Sequence, residues 1–270
     1  MLEYLPLILA LAAAGAFAGL IAGLFGIGGG VVMVPAMYYT FQSLGYSDGP
    51  VMHVAIGTSL AVIVATSLRS VSAHAKKGAV DFDILKGWVP WIILGTLIGS
   101  YLAAMIPGRA LTGIFGTMAV ILSAQFFFGR PDWSLRESMP GGVLRAGLGS
   151  LIGSLSALMG IGGGVFGVTL MTLCGVKIHR AVATAAGFGV AIGVPGAVGY
   201  IVNGWGQSPV PLSLGFVSLP GLAILAGSAF FVAPVGAHLA HSLPERQLKR
   251  FFAVGLVLVG GMLIREAVWG

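Results

Sequence analysis

Only 8% of the 270 residues are charged and 57% are hydrophobic, against about 25% charged in an ordinary soluble domain, and mean hydropathy is +1.00. Such a chain is excluded from the soluble globular class and reads as an all-α polytopic membrane protein. The net charge of +6 comes from 14 Lys and Arg against 8 Asp and Glu, but the basic residues stand singly or in pairs between apolar runs. They read as topology markers rather than as a nucleic-acid footprint. One cysteine, Cys174, excludes an internal disulfide and a two-thiol relay within the chain.

The N-terminus lacks a positive leader region, so the first apolar run is expected to be retained. That run, residues 4–25, would rise about 33 Å as a helix, enough to span. It ends at Gly26-Ile27-Gly28-Gly29-Gly30, which returns letter for letter as Gly160-Ile161-Gly162-Gly163-Gly164. Shifting Ala22–Met37 by 134 positions onto Ser156–Met171 makes nine of sixteen residues coincide, so the chain is built twice. Four glycines in five residues break a helix, each costing roughly 0.8–1.0 kcal/mol relative to alanine in a helix interior.

Beyond the first break, residues 31–44 suffice for about 21 Å of helix, short of a roughly 30 Å hydrocarbon core. They are expected to form the second arm of a re-entrant hairpin. Spans are expected near 51–74, 84–105 and 110–128, then a polar cytoplasmic linker at 129–145. The second copy repeats the order, with short arms near 147–159 and 165–175 and spans near 181–202, 214–236 and 251–264. The first repeat is thus 1–128 and the second 146–270. Gly15, Gly19, Gly23 and the pair Gly95/Gly99 predict close helix packing.

An even number of crossings per copy gives parallel repeats and an odd number inverted ones. Four crossings would divide the basic residues 8 to 6 between the faces; three crossings plus a re-entrant hairpin divide them 12 to 2, leaving only Arg109 and Arg265 on the minority side. The Lys/Arg-rich face is cytoplasmic, so the reading is two inverted repeats, each a Gly-rich broken or re-entrant hairpin plus three transmembrane helices, with both termini outside. Trp88, Trp91, Trp205 and Trp269 fall near span ends, as an aromatic belt would place them.

Broken helices in inverted repeats are where secondary transporters hold their ligands. A helix beginning after Gly30 or Gly164 presents unpaired N–H groups and its positive dipole end, and glycine lets an anion approach. The alternative is that these glycines serve only helix breaking and packing. A nucleotide-binding loop is excluded by the lack of a preceding strand. The expected substrate-binding set is Gly28, Gly29, Gly30, Thr58, Ser59, Gly162, Gly163, Gly164, Thr184, Arg69 and Gln125. The three hydroxyls either donate to the anion or bond the preceding turn. Gln125 either meets substrate or bonds between helices, and Arg69 either pairs with substrate or snorkels. His53, His74 and His179 read as interfacial groups or proton carriers. All eight carboxylates fall at loops or span ends, so no buried acid is available for a proton relay. No pattern calls for a metal or cofactor, and no nucleophile sits beside a general base, which weighs against an intramembrane enzyme.

The doubled Gly-Ile-Gly-Gly-Gly, the stretches His53–Leu60 and His74–Phe82, and the Leu243-Pro244-Glu245-Arg246 turn with its echo Ile106-Pro107-Gly108-Arg109 together resemble the sulfite exporter TauE/SafE family over nearly the whole chain. The resemblance implies an inner-membrane carrier for sulfite, organosulfonates or related small anions. Its partners would be the anion, the bilayer and, as an option the sequence leaves open, a second copy in a homodimer. One departure is that Gly57-Thr58-Ser59 is answered by Ala183-Thr184-Ala185, with one hydroxyl fewer. A non-transporting assembly or sensor subunit is the competing class.

Overall fold

The computed structural model describes residues 5–25, 29–46, 49–128, 136–239 and 245–270. Within them the chain forms α1 (Leu5–Phe25), α2 (Gly30–Ser43), α3 (Val51–Lys76), α4 (Phe82–Met105), α5 (Gly108–Phe128), α6 (Gly142–Met159), α7 (Gly164–Leu173), α8 (Ile178–Asn203), a hairpin of β1 (Ser213–Leu214) and β2 (Val217–Ser218), α9 (Leu219–Leu239) and α10 (Glu245–Trp269). Both helix pairs flanking the glycine runs are broken where expected. Among the described residues α3, α4, α5, α6 and α8 are long and apolar enough to cross a bilayer.

Three boundaries differ from the sequence expectation. The arm expected at 147–159 is an 18-residue helix that starts at Gly142, within the expected linker; Val143 and Leu144, both exposed and apolar, lie in its first turn. The span expected from 214 starts at Leu219 instead. Before it, β1 and β2 pair antiparallel, Ser213 with Ser218 and Leu214 with Val217. Their turn holds Gly215 at φ 55° against the backbone of Ile201, where a side chain would overlap the carbonyl. The third difference is α10, one continuous 25-residue helix in place of a marginal 14-residue run.

Two helices form the centre. Most of the apolar stretch of α3 and of α8 is buried, whereas less than half of that of α4, α5 and α6 is. On α4 the exposed side carries Leu94, Leu97, Ile98, Tyr101, Leu102 and Met105, an all-apolar surface that suits lipid. Trp88, expected in an aromatic belt, is 2% exposed and packs on α6 at Gly149. Trp205 and Trp269 are exposed.

The main pairings are α1 with α9, α4 with α6, α5 with α10 and α3 with α8. Exchanging the two halves turns the α1–α9 pair into α6–α4 and returns the other two to themselves. Glycine permits each close approach. Gly57 faces Tyr200, Gly193 and Gly196 face Leu60, and Gly189 faces Ser67, so α3 and α8 run antiparallel. Likewise Arg109 reaches Ala267, Gly116 lies on Gly260 and Ser123 donates to the Ala253 carbonyl, so α5 and α10 run antiparallel. By contrast α4 and α6 run parallel, Gly95 against Ser150 and Gly99 against Ser154, as do α1 and α9 through Gly15 and Gly19 against Leu225 and Ala229.

Candidate functional site

The two glycine runs meet. A Cβ added to Gly30 would overlap the Gly160 carbonyl oxygen and lie 3.0 Å from the Cα of Ile161. Gly29 and Gly163 are the N-caps of α2 and α7, at φ 72° and 69°, in the left-handed region that favours glycine. Neither cap supplies a side-chain acceptor, so the first-turn N–H groups of both helices lack the side-chain cap that usually satisfies them. Gly160 ends α6 in the same left-handed conformation, at φ 62°. Gly162 and Gly164 are buried beside these caps. Gly28 lies outside the described residues.

The central helices hold the breaks from the side. Ser59 Oγ, on α3, donates to the Gly160 carbonyl at 2.8 Å. A Cβ on Gly160 would lie 3.1 Å from the Ile56 carbonyl oxygen, and one on Gly163 would meet Ile192 of α8. Tyr200 of α8 donates its hydroxyl to the Ala157 carbonyl at 3.0 Å, in the last turn of α6. Of the three expected hydroxyls, Ser59 alone touches a break, and it does so through a carbonyl.

Thr58 and Thr184 are fully buried and occupied with the opposite repeat. Thr58 Oγ1 donates to the Val54 carbonyl at 2.6 Å and accepts the Ser218 N–H at 2.8 Å. Thr184 Oγ1 accepts the Asp81 N–H at 2.9 Å. Asp81 caps α4 by accepting from the N–H groups of Asp83 and Ile84, and it pairs with Arg180 at 2.9 Å.

Arg69 is exposed, ten residues along α3 from Ser59, about 15 Å of helix rise, and its guanidinium lies 4.0 Å above the Phe230 ring of α9. That cation–π contact occupies it away from the breaks. Gln125 of α5 donates to Thr169 Oγ1 on α7, the interhelix bond. Gln42 of α2 likewise donates to Glu266 of α10 at 3.0 Å. Each short arm is thereby tied by a polar pair to the last helix of the other repeat.

Sequence reasoning missed Ser156. Its side chain is fully buried, Oγ has no hydrogen-bond partner among the described residues, and it lies 3.5 Å from where a Gly163 Cβ would be. A buried polar atom without a partner needs a reason. The signal was present in the repeat comparison, where Ser156 stands opposite Ala22.

Five helices long and apolar enough to cross a bilayer among the described residues, an apolar surface and two glycine runs that meet in the buried interior define a multi-pass membrane protein of the transporter class. The chain belongs to the sulfite exporter TauE/SafE family, whose model matches residues 11–263. It is 34% identical over 248 residues to a probable membrane transporter protein of Haemophilus influenzae, covering 91% of this chain and 93% of that one. It is 26% identical over 264 residues to a probable membrane transporter protein of Methanocaldococcus jannaschii, covering 96% of both, and 26% identical to the Bacillus subtilis probable membrane transporter protein YunE over 94% of this chain and 96% of that one. No solved structure matches.

Proposed function

We propose that this protein exports a small anion, sulfite or a related organosulfonate or sulfur oxyanion, by alternating access between two inverted repeats, and holds it where the Gly-rich breaks meet. The observation that carries the reading is the meeting of the two glycine runs, Gly30 at the start of α2 lying against Gly160 and Ile161 just before α7, with no side-chain cap on either helix and the Ser156 hydroxyl, without a partner among the described residues, beside Gly163. Main-chain N–H groups, two positive helix ends and one hydroxyl make an anion site without a fixed cation. Ser59 and Gln125 position the arms through Gly160 and Thr169.

Inversion is supported by the antiparallel course of α3 against α8 and of α5 against α10, since each pair consists of equivalent helices from the two halves. The resulting faces divide the basic residues 12 to 2, which favours a cell inner-membrane protein with both termini outside. With the cytoplasm negative, each unit of negative charge leaving gains about 2.3 kcal/mol per 100 mV, so export needs no acid in the spans. Flux of sulfite in proteoliposomes tests this: it should follow an imposed membrane potential. Flux that ignores the potential and follows a pH gradient would sink the potential-driven form. Absence of flux with sulfite and every sulfonate tried would favour an assembly or sensor role.

A further inference from the structure

A cavity of about 760 Å³ lies at the end of the bundle where α3 and α5 begin and α4 and α10 end. Its wall includes Tyr38, Gln42, His53, Arg109, Thr112 and Glu266. Most of these polar groups are committed within the chain. Gln42 Nε2 donates to Tyr38 Oη and Glu266 Oε1 at 3.1 and 3.0 Å. Arg109 donates from Nε and Nη2 to the Ala267 and Val268 carbonyls, both at 2.7 Å, and Thr112 Oγ1 to the Gly108 carbonyl at 2.9 Å.

His53 differs. Its Nε2 lies 2.9 Å from the Ala103 carbonyl oxygen, and because a carbonyl only accepts, Nε2 carries the hydrogen. In the neutral ring Nδ1 is then an acceptor. Among the described residues no group lies within hydrogen-bond geometry of it, although the residue is only 3% exposed and the Ile106 backbone is the second main-chain group beside the ring. A buried acceptor left unpaired is costly. The position also matters: three residues further along α3, about 4.5 Å of rise, the Ile56 carbonyl lies against Gly160 of the second break. One cationic and one anionic side chain, Arg109 and Glu266, balance on the wall, which suits a ligand of low net charge.

We propose that this cavity is a binding vestibule for the transported anion and that His53 is its specificity-determining residue. It selects monoanions that retain a hydrogen on oxygen or nitrogen, because that hydrogen completes the bond missing at Nδ1. The proposal rests on the small-anion reading above. Two probes separate the ideas: 2-hydroxyethanesulfonate and ethanesulfonate differ by one hydroxyl, and neither titrates near neutral pH. Calorimetric titration of the purified full chain should show a preference for the hydroxylated probe of roughly two- to tenfold, the usual worth of one neutral hydrogen bond.

His53→Gln keeps an N–H at the Nε2 position for Ala103 and offers no acceptor at Nδ1. It should abolish the preference for the hydroxylated probe. His53→Asn places an amide oxygen near the Nδ1 position and should retain the preference, which tests the assignment even if the glutamine variant does not fold. Equal binding of the two probes to the unaltered protein, an unchanged preference in His53→Gln, or its loss in His53→Asn overturns the vestibule and leaves the small-anion reading standing. Binding of neither probe overturns the vestibule, and the small-anion reading falls with it only if sulfite, titrated alongside, does not bind either.

Discussion

Thr58 and Thr184 perform one task from opposite repeats: each hydroxyl oxygen accepts the backbone N–H of the residue that precedes the next long helix of the other half, Ser218 before α9 and Asp81 before α4. Ser156 presents the reverse case, a buried hydroxyl bonded to nothing among the described residues. The two therefore respond differently to loss of the oxygen. Thr58→Val leaves the buried Ser218 N–H without its acceptor, a cost of about 1–3 kcal/mol, and should lower the thermal unfolding midpoint in detergent. Ser156→Ala removes no internal bond and should leave that midpoint unchanged, while weakening sulfite affinity roughly ten- to a hundredfold if the hydroxyl serves a charged ligand. A Ser156→Ala protein that melts early and binds normally would make the hydroxyl structural. The bond of Thr58 to the preceding turn at Val54 was one of the sequence alternatives, but the bonds between repeats could not be read from the residue types. The partners of Thr58, Ser59 and Thr184 are main-chain groups 160, 101 and 103 positions away, and a main-chain N–H or carbonyl leaves no mark in a sequence.

Elements were far more legible than contacts, because a bilayer demands uninterrupted apolar runs and glycine clusters interrupt them. The breaks before α2 and α7 fall at the repeated glycines, and the ends of α3, α4 and α8 lie within three residues of the runs that announced them. The β1–β2 hairpin was hidden within an apolar stretch because Leu214, Phe216 and Val217 suit a short strand as well as a helix; Gly215 decides between them. The breaks also differ in what surrounds them. At Gly29 an added Cβ would stand 2.6 Å from the Ala18 carbonyl oxygen in a backbone at φ 72°, whereas at Gly163 it would meet the flexible end of Ile192. Gly29→Ala should therefore lose stability and binding together. Gly163→Ala strains φ and displaces only the end of the Ile192 side chain, and should lose proportionally more sulfite affinity. Gly19→Ala, with its Cβ 2.6 Å from the Ala229 carbonyl oxygen on the α1–α9 contact, should lower the unfolding midpoint and spare the affinity of the protein that remains folded. Titration and thermal unfolding on the same samples distinguish the three; normal binding by a folded Gly163→Ala would make the breaks packing devices.

At the scale of the whole molecule, helix directions are linked, so one assignment of sides fixes all the others. The parallel pairs α4–α6 and α1–α9 and the antiparallel pairs α3–α8 and α5–α10 are mutually consistent only if α2 and α7 each return toward the side from which α1 and α6 entered. The C-terminal ends of α2, α4 and α8 then share one face, in keeping with Gly108 resting on Gly49, and the connections at 77–81 and 173–178 share the other, where Arg180 meets Asp81. Lys77 and Gln207 are exposed on opposite faces in this arrangement. In a Cys174→Ala background, a cysteine placed at Lys77 should react with a membrane-impermeant maleimide only when the cytoplasmic side is open to it, and one at Gln207 only from outside. Replacing Cys174 is a precaution: it is buried, and burial pushes its thiol above the usual cysteine range against the opposing pull of Arg136, so little thiolate is present to react. Labelling of both positions from the same side would remove the inversion and, with it, the alternation of two equivalent halves around the meeting point of Gly30 and Gly160.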